Sequence, residues 1–317
     1  MTAPATSPNP LQSFRHEALL YAGERQFLDA TERFIRDGIA AGEPTLVVVA
    51  RDRVEALLAA VGDGDGTVVY ADMAAVGANP GRIIPAWRRF VDGEGARGRR
   101  LRGIGEPVWA ERGAAELVEC QRHESLLNLA FAGAPCFWLL CPYDSTTLSP
   151  AVIDEARRSH PFVSVADGAE SLSTFAAAAS GDTLDAPLGE PSTAARELTF
   201  TAWSLSTVRS LAAREAARAG MRSRRIADLV LAVNEVATNS VRHGGGEGRF
   251  RAWHQPGVVV CDVHDSGRVA SPLVDRRQPG ADPLDARGLW LVNQLCDLVQ
   301  LRSSAQGTTV RLHMLGV

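Results

Sequence analysis

In the first half of the chain, short apolar runs alternate with segments of helical periodicity. The runs are PTLVVVA (44–50), GTVVYAD (66–72), RLRGIGEP (100–107, offset by its arginines) and APCFWLLCPYD (134–144). Such short runs, set between helical stretches, predict strands. Helical segments fall between and beside them, around 23–41, 51–61, 82–92, 112–132 and 149–159. Alternation of this kind predicts a mainly parallel sheet covered by helices. Ligands of such sheets gather beyond the carboxyl ends of the strands. Asp72, Glu106 with Pro107 and Trp109, and Tyr143 with Asp144 all fall at those ends. They mark a candidate pocket, or else cap helices and face water.

From 166 to 196 the pattern dissolves into Ala, Ser, Gly, Asp and Pro, which reads as a linker. A different order follows. Residues 197–202 alternate as a strand, and 205–220 read as a helix ending at Gly220. A second helix runs from about 223 to 243. Its Ile226, Leu229, Val230, Val233, Ala237 and Val241 recur at three- and four-residue steps and form a core stripe. Glu235 and Asn239 stand one turn apart, roughly 180° to 220° around from Ile226 at about 100° per residue. Taken alone, such a pair is a solvated face. Arg242 and His243 suit the carboxyl end of the helix dipole, and Gly244 to Gly246 end the helix.

The segment RFRAWHQPGVVVCDVHDSG then reads as a hairpin turning at Pro256-Gly257 and ending in Asp265-Ser266-Gly267. A long Pro- and Gly-rich loop leads to Arg287-Gly288-Leu289 and an apolar helix, WLVNQLCD. SSAQGTTVRLHM supplies a turn and a closing strand with Gly307-Thr308-Thr309.

Composition narrows the chemistry. At 317 residues and 45% hydrophobic content, the chain can bury two cores. Residues 1–12 are rich in Pro, Ser and Thr and are expected to be disordered. A net charge of -4 argues against direct nucleic-acid binding. No signal-like start and no long apolar run occur, so a cytoplasmic protein without a membrane span is expected. Five scattered cysteines fit reduced thiols better than a disulfide framework. Cys120, Cys136 and Cys141 share the first half with His123, but no paired CxxC spacing appears, so buried structural thiols are favoured over a metal site. All 33 basic residues are arginine. A Schiff-base lysine, a Walker A lysine and the nucleotide-pairing lysine of ordinary protein kinases are thereby excluded.

Two resemblances organise these readings into domains. Residues 13–165 resemble the MEDS sensory domain, on His16 with Tyr21, Ala41-Gly42-Glu43, Glu106, Cys141 to Asp144 and His160-Pro161. That resemblance implies a sensor fold related to RecA-type ATPases and an unknown small-molecule signal. GxxxxGK[ST] is absent, so ATP use in this half is not expected. Residues 197–317 carry ExxxN, then DSG, then a long loop, then RGLxxV, then GTT, in that order. This series resembles the GHKL ATPases and, within them, the anti-sigma factor serine/threonine kinases. An α/β sandwich of the Bergerat type is implied, with 166–196 as the linker.

The GHKL resemblance implies ATP and Mg2+ as cofactors and assigns roles. Glu235 would be the catalytic base and Asn239 the magnesium ligand. Asp265 would accept the adenine amino group, with Gly267 allowing close approach of the backbone. Arg287, Gly288 and Leu289 open the helix whose amides cradle phosphates, and the loop before it forms a lid. Gly307, Thr308 and Thr309 would line the adenine pocket, the two threonines being otherwise a plain edge-strand pair. Two places depart from the family pattern: Arg268 and Val269 follow Gly267, so the second glycine of the first box is missing, and Ala286 stands where a glycine usually precedes RGL.

Two functions follow from the resemblance. The first is a kinase acting on a small anti-anti-sigma partner and tuned by the sensory half. The second is a nucleotide-dependent module that sequesters a sigma factor or its antagonist without phosphoryl transfer. A homodimer is compatible with both. A histidine kinase is disfavoured, because 166–196 lacks histidine and heptads.

Overall fold

The computed structural model describes residues 14–95, 98–134, 136–166, 173–175, 186–278 and 287–316. The expected disorder of residues 1–12, most of the linker from 167 to 185, and residues 279–286 of the expected lid lie outside the described residues. The chain divides into two compact units. One comprises Met1–Gly77 and Ala86–Leu184, and the other Ala78–Pro85 and Asp185–Val317.

The first unit is a parallel sheet with helices on both faces. Its strands are β1 (Arg15–Tyr21), β2 (Thr45–Val49), β3 (Val68–Asp72), β4 (Leu101–Gly105), β5 (Phe137–Asp144) and β6 (Phe162–Val165). They run in the order β3-β2-β4-β5-β1-β6. The intervening helices are α1 (Gly23–Ala40), α2 (Arg51–Val61), α3 (Met73–Val76), α4 (Ile83–Gly95), α5 (Ala114–Ala130) and α6 (Pro150–Ser159). Phe27, Phe34 and Ile35 of α1 and Leu57 of α2 bury against Leu19, Val47, Val49 and Ile104 of the strands. On β4, a Cβ at Gly103 or Gly105 would lie 2.9 Å from the Trp87 ring, so both glycines make room for a buried indole.

Two strands, β1 and β6, were not anticipated by apolar runs. RHEALLY begins with three polar residues, so neither a continuous run nor clean alternation marks it. Yet β1 lies inside the sheet between β5 and β6, with His16 and Glu17 buried. Glu17 is satisfied there by the Trp138 indole N–H at 2.9 Å and by Arg15 at 2.8 Å. β6 is four residues long, too short to carry a period.

The second unit is an α/β sandwich. Its strands are β7 (Arg196–Thr201), β8 (Glu247–Gln255), β9 (Val258–Asp265), β10 (Leu298–Ser304) and β11 (Gly307–Leu315), all antiparallel in the order β10-β11-β9-β8-β7. Helices α7 (Leu205–Arg218), α8 (Ser223–His243) and α9 (Arg287–Leu295) pack on one face, around Phe250, Cys261, Val263 and Leu312. The other face carries Asp262 between Arg251 and Arg311, directly opposite each other across three strands. Asp262 accepts two bonds from Arg251 at 3.0 Å and one from Arg311 at 2.9 Å. β10 was not anticipated, because Gln300 and Arg302 interrupt its apolar pattern although both are buried.

On α8 the buried stripe is Leu229, Ala232, Val233, Val236, Ala237 and Ser240. Ile226 and Val241 pack at its edge, and Val230 is only half-buried. The stripe is therefore centred away from Ile226. At about 100° per residue, Glu235 and Asn239 stand roughly 120° and 80° from Leu229, so they flank the core rather than oppose it.

This register is open to test. Leu229 is fully buried and Leu231 is 42% exposed. Leu229→Ala is expected to cost about 2–5 kcal/mol. Leu231→Ala should stay within about 0.5 kcal/mol. Urea unfolding of the full chain compares the two, and equal costs would displace the stripe.

Candidate nucleotide site

The site in the second unit is assembled around the end of β9. Asp265 accepts a hydrogen bond from Ser240 Oγ at 2.6 Å and another from the Gly267 amide at 2.8 Å. One carboxylate thus joins α8 to the turn after β9. Three glycines permit this crowding. A Cβ at Gly244 would lie 2.3 Å from Asp265 Cγ, and one at Gly267 would lie 2.6 Å from the His243 carbonyl. At Gly307, where φ is +118°, a Cβ would lie 2.1 Å from the Asp265 carbonyl oxygen.

The turn is secured from the other side by a directed chain of bonds. Thr308, paired with Asp265 across β11 and β9, donates to the Gly267 carbonyl at 2.9 Å. Ser303 Oγ lies 2.8 Å from Thr308 Oγ1 and accepts from the Val269 amide at 2.9 Å. With the Thr308 proton committed to Gly267, the bond between the hydroxyls runs from Ser303 to Thr308. Ser240 and Ser303 are site residues that the sequence reading missed. Ser240 hides in the buried stripe, and Ser303 lies on the unanticipated strand β10.

Above the turn opens a cavity of about 330 Å³. Asn239, Asp265, Gly267, Leu289 and Thr308 line it, with apolar walls from Val236, Leu301 and Val310. Glu235 is not on its wall. It stands beside Asn239 where α9 begins: a Cβ on Gly288 would lie 3.1 Å from Glu235 Oε2 and 3.2 Å from Asn239 Nδ2. A side chain at 288 would press on the Glu235 and Asn239 side chains, so the glycine eases the close approach of α9 to α8. That approach also brings the amino end of α9, with its free amides, to the carboxylate and carboxamide pair. Of the remaining residues expected at the site, Gly307 backs Asp265, Thr309 is off the cavity wall with its hydroxyl 3.0 Å from His264 Nδ1, and the Arg287 side chain and Ala286 lie outside the described residues. Arg268 is exposed at the rim.

A second cavity, about 500 Å³, opens in the first unit beyond the carboxyl ends of the strands. Asp72, Glu106, Trp109 and Asp144 reach it, as the strand order implied, together with Tyr21 and Arg53. Tyr21 donates to Glu106 at 2.7 Å, and Arg53 donates to the Tyr21 oxygen at 2.8 Å while pairing with Glu106. Burial pushes the Glu106 carboxyl above its ordinary range, against the pull of Arg53. Tyr143 does not reach this cavity. It is buried with its ring edge-on to His160, at 5.6 Å between centroids.

Residues 15–161 match the model of the MEDS family, the MEthanogen/methylotroph, DcmR Sensory domain. Residues 198–314 match that of the histidine kinase-like ATPase domain. The chain joins a MEDS domain to a histidine kinase-like ATPase domain. No curated protein matches it. Among solved structures, the chain is similar to the RsbU and RsbW domains of Rv1364c from Mycobacterium tuberculosis, at 24% identity and a TM-score of 0.31. That likeness covers 39% of this chain and 32% of the other, so it spans about a third of that solved chain's length. Among the described residues, no helix of the MEDS or ATPase domain is long and apolar enough to cross a membrane.

The packing around Asp265 in the ATPase domain yields a direct test. Gly244→Ala forces a methyl group into the Asp265 side chain, and is expected to cost about 1–3 kcal/mol. The same change at exposed Gly189, with nothing within 4 Å, should stay within about 0.5 kcal/mol. Urea unfolding reads both, and a neutral Gly244→Ala would contradict the crowding described.

Proposed function

We propose that the ATPase domain binds ATP with magnesium and phosphorylates a serine or threonine of a small anti-anti-sigma protein, under control of a small-molecule signal at the MEDS domain. The observation that carries the reading is the meeting of Glu235, Asn239 and the amino end of α9 beside a cavity floored by Asp265. The lone pairs that Asp265 keeps from Ser240 and Gly267 can accept the exocyclic amino group of adenine. The apolar walls suit its ring.

The donors fit a magnesium nucleotide. Magnesium is a hard cation held by oxygen, and Asn239 offers a carboxamide oxygen next to a carboxylate. Bound there with the nucleotide, it would supply positive charge to offset the phosphates. The amides of α9 hold the phosphate oxygens without any lysine. Glu235 takes the proton of the attacking hydroxyl. The hydroxyl oxygen bonds to the γ-phosphorus, the bridging P–O bond breaks, and ADP leaves.

A second reading keeps nucleotide binding without transfer, with a sigma factor or its antagonist sequestered. It is favoured by the position of Glu235 off the cavity wall and by Val269 where the family pattern has its second glycine.

Incubation of the full chain with labelled ATP, magnesium and small antagonist proteins separates the two. Transfer that falls by about 10²- to 10⁴-fold in Glu235→Ala, with nucleotide binding retained, supports the kinase. Binding without transfer in either form supports sequestration. Asn239→Ala is expected to remove the magnesium dependence of ATP binding, and unchanged dependence would refute its role as ligand.

A further inference from the structure

Inside the first unit, on the face of the sheet covered by α5 and α6, four side chains from four distant points of the chain meet. His16 comes from β1, Glu124 from α5, Cys141 from β5 and His160 from the residue that ends α6. All four are buried, and one ligand atom from each lies within 4.8 Å of the other three. Cys120, Cys136 and His123, which share a stretch of sequence with Cys141, are not among the four.

The hydrogen atoms of the two imidazoles can be placed from their neighbours. Asn128 donates its Nδ2 to the Ser159 carbonyl at 2.8 Å, which turns its Oδ1 toward His16 Nδ1 at 3.1 Å. His16 therefore carries a proton on Nδ1. His160 Nδ1 lies 2.8 Å from the Ala156 carbonyl, which can only accept, so His160 carries a proton on Nδ1 as well. The Nε2 atom of each ring is left facing inward, and both converge on Glu124 Oε2, at 3.0 Å and 3.2 Å. Cys141 Sγ stands 3.5 Å from His16 Nε2. His160 Nε2 and Glu124 Oε1 make no hydrogen bond despite being buried.

Lone pairs turned on one carboxylate oxygen in a dry interior repel unless a proton or a metal cation lies among them. A thiol proton on Cys141 answers one of them only. Protonating both rings would instead stack two imidazolium ions with centroids 4.0 Å apart.

We propose that His16, Glu124, Cys141 and His160 form a closed four-ligand site for a borderline-soft divalent transition ion of the zinc type. Two imidazoles, a thiolate and a carboxylate are the donors such an ion takes, whereas magnesium and calcium take oxygen. The carboxylate and thiolate balance its charge. The Nδ1 bonds to Asn128 and the Ala156 carbonyl are the supports that orient metal-bound histidines. Four protein donors leave no open position, so the ion ties β1, β5, α5 and the end of α6 together rather than activating water. Asn128 is a positioning residue for this site.

The test uses the full chain, stripped with a chelator and titrated with Co2+. The proposal expects one equivalent bound, visible bands of four-coordinate cobalt, a near-ultraviolet thiolate charge-transfer band, and a higher melting temperature with Zn2+ than without. Cys141→Ser should lose the charge-transfer band, and Cys136→Ser should keep it. Asn128→Ala removes no ligand and should weaken Co2+ binding by about 10- to 100-fold. Native circular dichroism in the wild type with neither bands nor a stoichiometric equivalent overturns the site, whatever the variants do. The cluster would then be a proton-held buried ion pair. Charge-transfer bands unchanged in a folded Cys141→Ser would overturn it equally.

Discussion

The Asp265 carboxylate is clamped from several sides, and the candidate nucleotide site of the ATPase domain depends on that clamp. Ser240 reaches it from the buried face of α8, Gly267 from the turn after β9, and Gly244 and Gly307 make room for it. A larger residue at any of the three glycines would strike Asp265 or the adjoining backbone. The half-buried carboxylate therefore presents its remaining acceptors to the cavity in one orientation.

The same economy of space acts where α9 meets α8. Because residue 288 has no side chain, α9 closes on α8 within van der Waals reach of Glu235 and Asn239. The flanking position of that pair follows from the register of the stripe. Leu229, Val233, Val236 and Ala237 turn toward the sheet, so the acid and the amide face sideways to α9 instead of outward to water. Helix packing thus converts a solvated pair into a candidate binding edge.

In the MEDS domain a single strand serves two places. Tyr21, at the carboxyl end of β1, joins Glu106 and Arg53 at the mouth of the cavity, while His16, at its start, enters the buried cluster with Glu124, Cys141 and His160. Both ends of β1 are polar and buried, which is why its apolar signal is weak. The interior position of the strand makes that polarity tolerable, since each group finds a partner from a neighbouring strand or helix.

Most elements of both domains were legible, because strands of apolar run and helices of 3.6 period are local signals. The spacing of Glu235 and Asn239 was likewise local, as was the glycine punctuation around Asp265 and at 288. Of the strands that escaped, β6 is too short to carry a period, while β1 and β10 carry buried His16, Glu17, Gln300 and Arg302, which a pattern rule scores as exposed. Ser240 and Ser303 escaped for a related reason: a serine among core residues has no signature until its partner is known.

By itself the sequence determined the two alternations of strand and helix, the absence of lysine chemistry and the order of the nucleotide fragments. These depend on residue type and on separations of a few positions, which backbone geometry converts directly into shared faces. Only the tertiary structure decided that Asp265 meets Ser240, that α9 closes on Glu235, and that residues 16, 124, 141 and 160 meet in one dry cluster. Those contacts join segments separated by tens to more than a hundred positions, and their distances are set by how the sheets order their strands.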